Sequence, residues 1–315
     1  YPDACVEVVN TSITAVNSFT LQDRIDEILD EKPDAILIYA GHNEFYGALG
    51  SGSKEGLGQI RWSKRLHLFL LDLKTYQLLR NSLLGMQQYL QGKDPEPESP
   101  TATLMERIVS NKSILYRSKT YNKSLRHYAG NLETIIRKSR RHHVPVVISE
   151  LISNTRDLRP FCSAPSDSFP PADAVFDAAM QAEKEGRYET ARALYDQARD
   201  LDCVRFRASE DINRIIRQLS RKYDLCLVPM KHLFENASPH GLIGNNLVTE
   251  HVHPNTDGYF LMADAFYSAL AGSIIPMKPD PHRMKTSLHY RQHWGFTELD
   301  SIYAELILRQ LKGGW

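Results

Sequence analysis

Near its C-terminal end the chain reads Glu250-His251-Val252-His253-Pro254-Asn255. A carboxylate three residues before an imidazole can accept from one ring nitrogen, which leaves the other free to take a proton. A histidine held in this way is two-thirds of a nucleophilic triad. The same residues offer a second chemistry, because His251 and His253 could chelate a metal together with Glu250. The segment Gly41-His42-Asn43-Glu44 ends the apolar run 35–40. An amide such as Asn43 at a strand tip can donate to a developing oxyanion, although Gly and Asn are also ordinary turn residues. A third polar set, Ser153-Asn154-Thr155-Arg156-Asp157, follows the apolar run 144–151. Asn154 and Arg156 would share a sheet edge with Asn43, where α/β sheets gather substrate contacts; the alternative is that they cap the next loop. Arg207, in Arg205-Phe206-Arg207, is a further candidate for the substrate cleft, with a solvated loop as its alternative.

The elements that must position these groups alternate in type. Apolar runs at 5–9, 35–40, 144–151 and 225–229 read as buried strands, each followed by polar residues. Thr20-Leu21-Gln22-Asp23 resembles a capping box opening a helix whose face is Leu21, Ile25, Ile28 and Leu29. Pro33-Asp34 ends that helix, so strand, helix and strand form a βαβ unit with a parallel sheet and a right-handed crossover. Residues 47–58, rich in Gly and Ser, predict a mobile loop, and residues 91–100, with three prolines, an exposed linker. Helical patterns cover residues 65–90, the segment around Leu125, Tyr128, Leu132, Ile135 and Ile136, residues 258–270 and residues 301–311. Alternation throughout argues for α/β.

Composition narrows the function classes. The 38 basic and 38 acidic residues cancel, so the overall charge gives no support for a nucleic-acid or anionic-membrane partner. No stretch reaches the ~18 apolar residues of a spanning helix. Cys5, Cys162, Cys203 and Cys226 have no CxxC or Cys/His ligand spacing and read as free or buried thiols. The chain opens at Tyr1 and reaches an expected strand at once, as if cut from a longer protein; a targeting segment would then lie upstream.

A turn after a first strand, then Gly-His-Asn-Glu after the next, then Glu-x-x-His before a helix, is similar to the SGNH (GDSL-type) hydrolases. The resemblance covers roughly residues 6–47, 144–151 and 225–270. It implies a three-layer, flavodoxin-like α/β fold and a serine ester hydrolase needing no cofactor, with a small-molecule, carbohydrate or lipid ester as substrate. Residues 10–18 resemble the family's second block, with Ala15 where Gly is usual and its N–H as oxyanion donor. Gly41-His42-Asn43-Glu44 resembles the third, with Asn43 as side-chain donor and Glu44 in place of Asp. Glu250 and His253 resemble the fourth, His253 as base and Glu250, again for Asp, orienting it. The first block, which carries the serine, has no counterpart: Ser12 and Ser18 lie inside the second block. The resemblance therefore implies that the nucleophile and its strand precede Tyr1 and that this chain alone is inactive.

Gly186, Tyr188, Ala191, Tyr195 and Ala198 fall at the spacing of half a tetratricopeptide repeat, with Cys203 where Pro is usual. One such unit cannot build a solenoid; a hairpin packed on the host domain is expected, with a protein partner on its free face as the bolder reading. The chain thus reads as one domain over 1–315, with a helical insertion or lid at 48–123, the repeat-like hairpin at 172–207 and a helical tail at 280–315. Besides the metal-dependent hydrolase, the rival is a non-catalytic interaction module on a decayed hydrolase fold.

Overall fold

The computed structural model describes residues 6–13, 15–47, 49–52, 61–71, 73–91, 113–164, 166, 168–274, 282 and 284–313. Three short strands, β1 (Ile36–Ile38), β2 (Val146–Ser149) and β3 (Cys226–Val228), form a parallel sheet in the order β1-β2-β3. Ile36 pairs with Val146, and Ile148 with both Ile38 and Leu227. The helices are α1 (Ser18–Asp30), α2 (Arg61–Leu71), α3 (Lys74–Gln91), α4 (Lys119–Arg141), α5 (Ala172–Lys184) and α6 (Tyr188–Leu201). They continue as α7 (Glu210–Tyr223), α8 (Met230–Ala237), α9 (Thr256–Ser273), α10 (Ser287–His293) and α11 (Glu298–Gly313). The chain is a helix-rich α/β protein.

A parallel sheet must be covered on both faces, and the period-2 alternation of β2 meets that need. Val146 and Ile148 pack with Ile25 and Leu29 of α1, Leu132 and Ile136 of α4, and Ile212 and Ile216 of α7. Val147 turns the other way, to Phe234 of α8 and the partly buried Leu261 and Phe266 of α9. Side-chain caps set where helices begin. Asn17 accepts from the Phe19 N–H, so α1 starts at Ser18, ahead of the capping box expected at Thr20. Ser118 and Asn255 cap α4 and α9 in the same way.

Several expectations need correction. Residues 6–10 are not a strand: no partner strand lies beside them among the described residues, and Val8 stays 86% exposed. The helix read over 65–90 is two, α2 and α3, with Leu73 between them. Residues 47 and 49–52 are not an open loop, because Gly47 and Gly50 are buried and Gly52 N–H donates to the Phe45 carbonyl; the rest of that loop, and nearly all of the linker at 91–100, lie outside the described residues. Helices α7 and α8 had not been read from the sequence.

Cys162 and Cys203 are not free thiols but a disulfide, 41 residues apart. It closes the base of the α5–α6 hairpin, whose buried seam holds Phe176, Ala179, Ala191, Tyr195 and Ala198. A covalent link across a loop of that length restricts the unfolded chain and stabilises by about 2–4 kcal/mol. Reduction with a thiol, or the Cys162→Ser/Cys203→Ser double variant, should therefore lower the melting temperature measured by circular dichroism; an unchanged melting point would show that the hairpin base is held by packing alone.

Candidate functional site

The polar groups singled out in the sequence gather at the carboxyl ends of the strands. Just beyond β1, Gly41 has φ of 154°, and a Cβ there would lie 2.7 Å from Leu151 Cδ1. Only glycine suits that position. The chain then turns through a 3-10 helix at His42–Glu44. Asn43 on this turn is exposed, while Glu44 points inward and is buried. Glu44 Oε1 accepts from the Ser18 hydroxyl at 2.9 Å and Oε2 from the Ser18 N–H at 3.1 Å. Asn131 of α4 donates to the same hydroxyl at 2.9 Å.

This contact brings the Ala15 turn beside the Asn43 turn. A Cβ on Gly47 would meet the Asn43 carbonyl at 2.7 Å and the Ala15 carbonyl at 2.8 Å, so Gly47 is the residue that lets the two backbones approach. Ala15 itself has φ of 61°, in the left-handed region where glycine is at ease and alanine is strained.

The second half of the site is the loop 249–253, closed off by the Val248–Pro254 bridge. Glu250 organises it. Oε1 accepts from the His253 N–H at 2.9 Å and contacts His253 Nδ1 directly. Oε2 accepts from the N–H groups of His251 and Val252 and also meets His251 Nδ1. Three backbone donors fix the carboxylate, and two imidazoles turn toward it. His253 is 67% exposed at its side chain; His251 is buried against Phe161 and Phe206. With Nδ1 on the carboxylate, Nε2 is the nitrogen His253 has left for a reacting group.

Burial lowers the pKa of all three imidazoles of the site. Burial, then the neighbouring His42 and His253, hold His251 down to about 3. Burial, then His253, hold His42 down to about 3 as well. His253 is lowered too, by its partial burial. His42 is thus a neutral ring: its Nδ1 accepts from the Ala208 N–H at 3.1 Å, and its Nε2 lies 3.5 Å from the Tyr39 hydroxyl. Among the described residues no group of three His, Cys, Asp or Glu side chains is arranged to hold a metal ion.

The candidate substrate residues have other duties. Asn154 is buried; its amide donates to Asn245 Oδ1, its Oδ1 accepts from the Asp157 N–H, and its backbone N–H donates to the His251 carbonyl at 3.0 Å. It is the loop cap of the alternative reading, and it ties the β2 tip to the histidine loop. Arg207 is buried in an ion pair with Asp202 at 3.0 Å and donates to the carbonyls of Asn154 and Leu158. Arg156 alone of the three lies at an opening. It pairs with Glu183 of α5 and lines a cavity of about 640 Å³ with Arg159, Tyr188, Tyr195 and His240.

Sequence reasoning missed Asn213 and Tyr39. Asn213 Oδ1 accepts from the Leu151 N–H and its amide donates to the Leu151 carbonyl, extending the β2 hydrogen bonding with a side chain. The Tyr39 hydroxyl accepts from the Ile152 N–H. Neither carries a local signal, since each partner lies more than 60 residues away.

No family model matches the sequence, and no curated protein matches it. Among solved structures the chain is similar to a protein of Parabacteroides merdae provisionally described as a GDSL-like lipase, with 13% identity over 84% of this chain and 72% of that one and a TM-score of 0.39. A likeness at that score carries no argument about the site.

Burial pushes the Glu44 carboxyl up from 4.5 to about 8, against the opposing pull of the Ser18 hydrogen bonds and Lys64. Between those values the folded protein keeps a proton that the unfolded chain has released, so this contribution is full below the lower value and is lost as pH rises toward the upper one. Glu44→Gln preserves an acceptor and a donor without titrating. Wild-type stability should fall between about pH 5 and pH 8 more steeply than that of Glu44→Gln, by up to about 1.4 kcal/mol per pH unit, in urea titrations at each pH. Parallel pH profiles would contradict the buried-acid account.

Proposed function

We propose that this chain is the greater part of a serine ester hydrolase of the SGNH type, a single flavodoxin-like three-layer domain. In this reading residues 48–123 are an insertion or lid, residues 172–207 a repeat-like hairpin and residues 280–315 a tail. The observation that carries the proposal is the Glu250 carboxylate, held by three backbone N–H groups and set on Nδ1 of the exposed His253. That is the orienter-and-base pair of a triad. Neither of the serines considered from the sequence supplies the nucleophile. Ser18 is buried on Glu44 and Asn131, and Ser12 lies in the exposed segment before α1. Because the resemblance places the nucleophile in a block ahead of residues 10–18, we assign it to a serine outside these 315 residues.

In this mechanism His253 Nε2 takes the serine proton as Oγ attacks the ester carbonyl. Glu250 holds the ring and stabilises the imidazolium that forms. The amide of Asn43 and the N–H of Ala15 donate to the oxyanion of the tetrahedral intermediate. As the intermediate collapses, the imidazolium returns its proton to the leaving alcohol; water, deprotonated by the same nitrogen, then releases the acid and restores the serine. Arg156, at its cavity, is the residue we assign to the non-reacting part of the substrate, while Asn154 and Arg207 act by positioning the histidine loop.

Turnover of a p-nitrophenyl acetate-type ester by the whole protein tests this reading. His253→Ala should abolish it, and Asn43→Ala should lower kcat by roughly two to three decades, with little change after dialysis against a chelator. Full activity in His253→Ala would sink the proposal; an unchanged kcat in Asn43→Ala alone would remove only the oxyanion assignment. The 315-residue chain by itself should be inactive toward the same ester.

A further inference from the structure

Helix α2 is built inside out. An amphipathic helix on a water-soluble protein turns its apolar stripe to the core and its charges to solvent. In α2, Lys64 and His67 face the protein and are buried, while Trp62 and Phe69 are 64% and 65% exposed, with Leu66 exposed between them. The inward side is anchored by polar contacts. Lys64 Nζ donates to the Leu49 carbonyl and lies 4.8 Å from the centroid of the Phe19 ring. His67 Nδ1 lies 2.8 Å from the Tyr76 hydroxyl of α3. The apolar stripe runs on through Leu73 to Leu78, Leu79, Leu83 and Met86 of α3, all exposed. A continuous apolar surface of this kind marks a contact that water does not make.

Charge says what covers it. The balance of the whole chain is zero, but the segment 61–91 holds Arg61, Lys64, Arg65, Lys74 and Arg80 against the single acid Asp72. Exposed Arg65 and Lys74 flank the stripe. Tryptophan, phenylalanine and leucine on one side of a short helix, with basic residues beside them, is the pattern of a helix lying in a membrane interface. Neither α2 nor α3 is long and apolar enough to cross a bilayer. The molecule contains its own contrast. Helix α11 also exposes Leu299, Ile302 and Leu306, but beside Glu298, Asp300 and Glu305. Apolar exposure is common to both; of these two elements only the α2–α3 segment carries a basic excess.

We propose that the α2–α3 segment is a peripheral membrane-docking element that lays its Trp62–Phe69 stripe into the surface of an anionic phospholipid bilayer. The inference does not rest on the esterase reading. Lys64, on the inward face, links the docked helix to the Leu49 carbonyl, a few residues beyond the Asn43 turn.

Co-sedimentation of the purified chain with large unilamellar vesicles tests it. Binding is expected to vesicles of phosphatidylcholine with about a third phosphatidylglycerol, at least tenfold weaker binding to phosphatidylcholine alone, and weakening by salt. Phe69→Glu should reduce binding at least tenfold, and Arg65→Gln/Lys74→Gln, a purely surface change, should reduce it severalfold. Ile302→Glu on α11 should leave it unchanged. Absence of binding to the anionic vesicles, or equal loss in Ile302→Glu, would overturn the proposal. So would a dimer in light scattering that Phe69→Glu disperses, since the stripe would then be covered by a second copy.

Discussion

A buried carboxyl holds the two halves of the strand-tip turn together. Glu44 sits at the first turn of α1, where helix N–H groups lack partners inside the helix. It accepts from the Ser18 N–H and hydroxyl, and Asn131 completes the network from α4. A buried acid without such partners would cost several kcal/mol; with them, the desolvation is met by keeping the proton. The result is geometric. Helix α1, the Ala15 turn that precedes it and the Asn43 turn that follows β1 become one rigid corner, and Gly47 permits the close approach that a Cβ would prevent.

The histidine loop has a different anchor. Its orientation depends on backbone and buried charge rather than on a helix. Asn154 N–H holds the His251 carbonyl, Arg207 holds the Asn154 carbonyl, and Asp202 holds Arg207. Asp202 also accepts from the N–H groups of Phe161 and Cys162, at the disulfide. Removing one member of such a desolvated pair leaves the other uncompensated, which is far worse than removing both. The α5–α6 hairpin is thereby wired to the loop that carries His253. This is a structural reason for the hairpin between β2 and β3 to sit where it does.

What could be read from the sequence is what is local. The β1, β2 and β3 runs, the amphipathic faces of α1 and α4, and the hairpin around Gly186 are set by neighbours a few residues apart. The pairing of Glu250 with His253 spans three residues and was legible for the same reason. The duties of Asn154 and Arg207 were not, because a side chain's type does not say whether its partner is a substrate or a carbonyl about 50 residues away. The disulfide was hidden likewise: its cysteines share no spacing motif, only the closing of a hairpin that brings its two ends together. Helix α7 went unread, although Ile212, Ile216 and Leu219 are among its core residues.

The exposed valines and the outward stripe of α2 share a deeper cause. Hydrophobic pattern states that a face exists; it does not state which way the face points or whether anything is there to receive it. Residues 6–9 carry three valines, and a strand was the natural expectation, but a strand is defined by its neighbour. Among the described residues β1 has β2 on one side only, and the valines remain exposed. In α2 the period is helical and the helix forms, yet it is rotated so that Lys64 and His67 are inside. The inward choice follows from chemistry rather than period: the ammonium finds a carbonyl and an aromatic face, and the imidazole a hydroxyl. Burial would favour Trp62 and Phe69 more than Lys64, so the outward stripe is apolar surface whose burial the described chain forgoes.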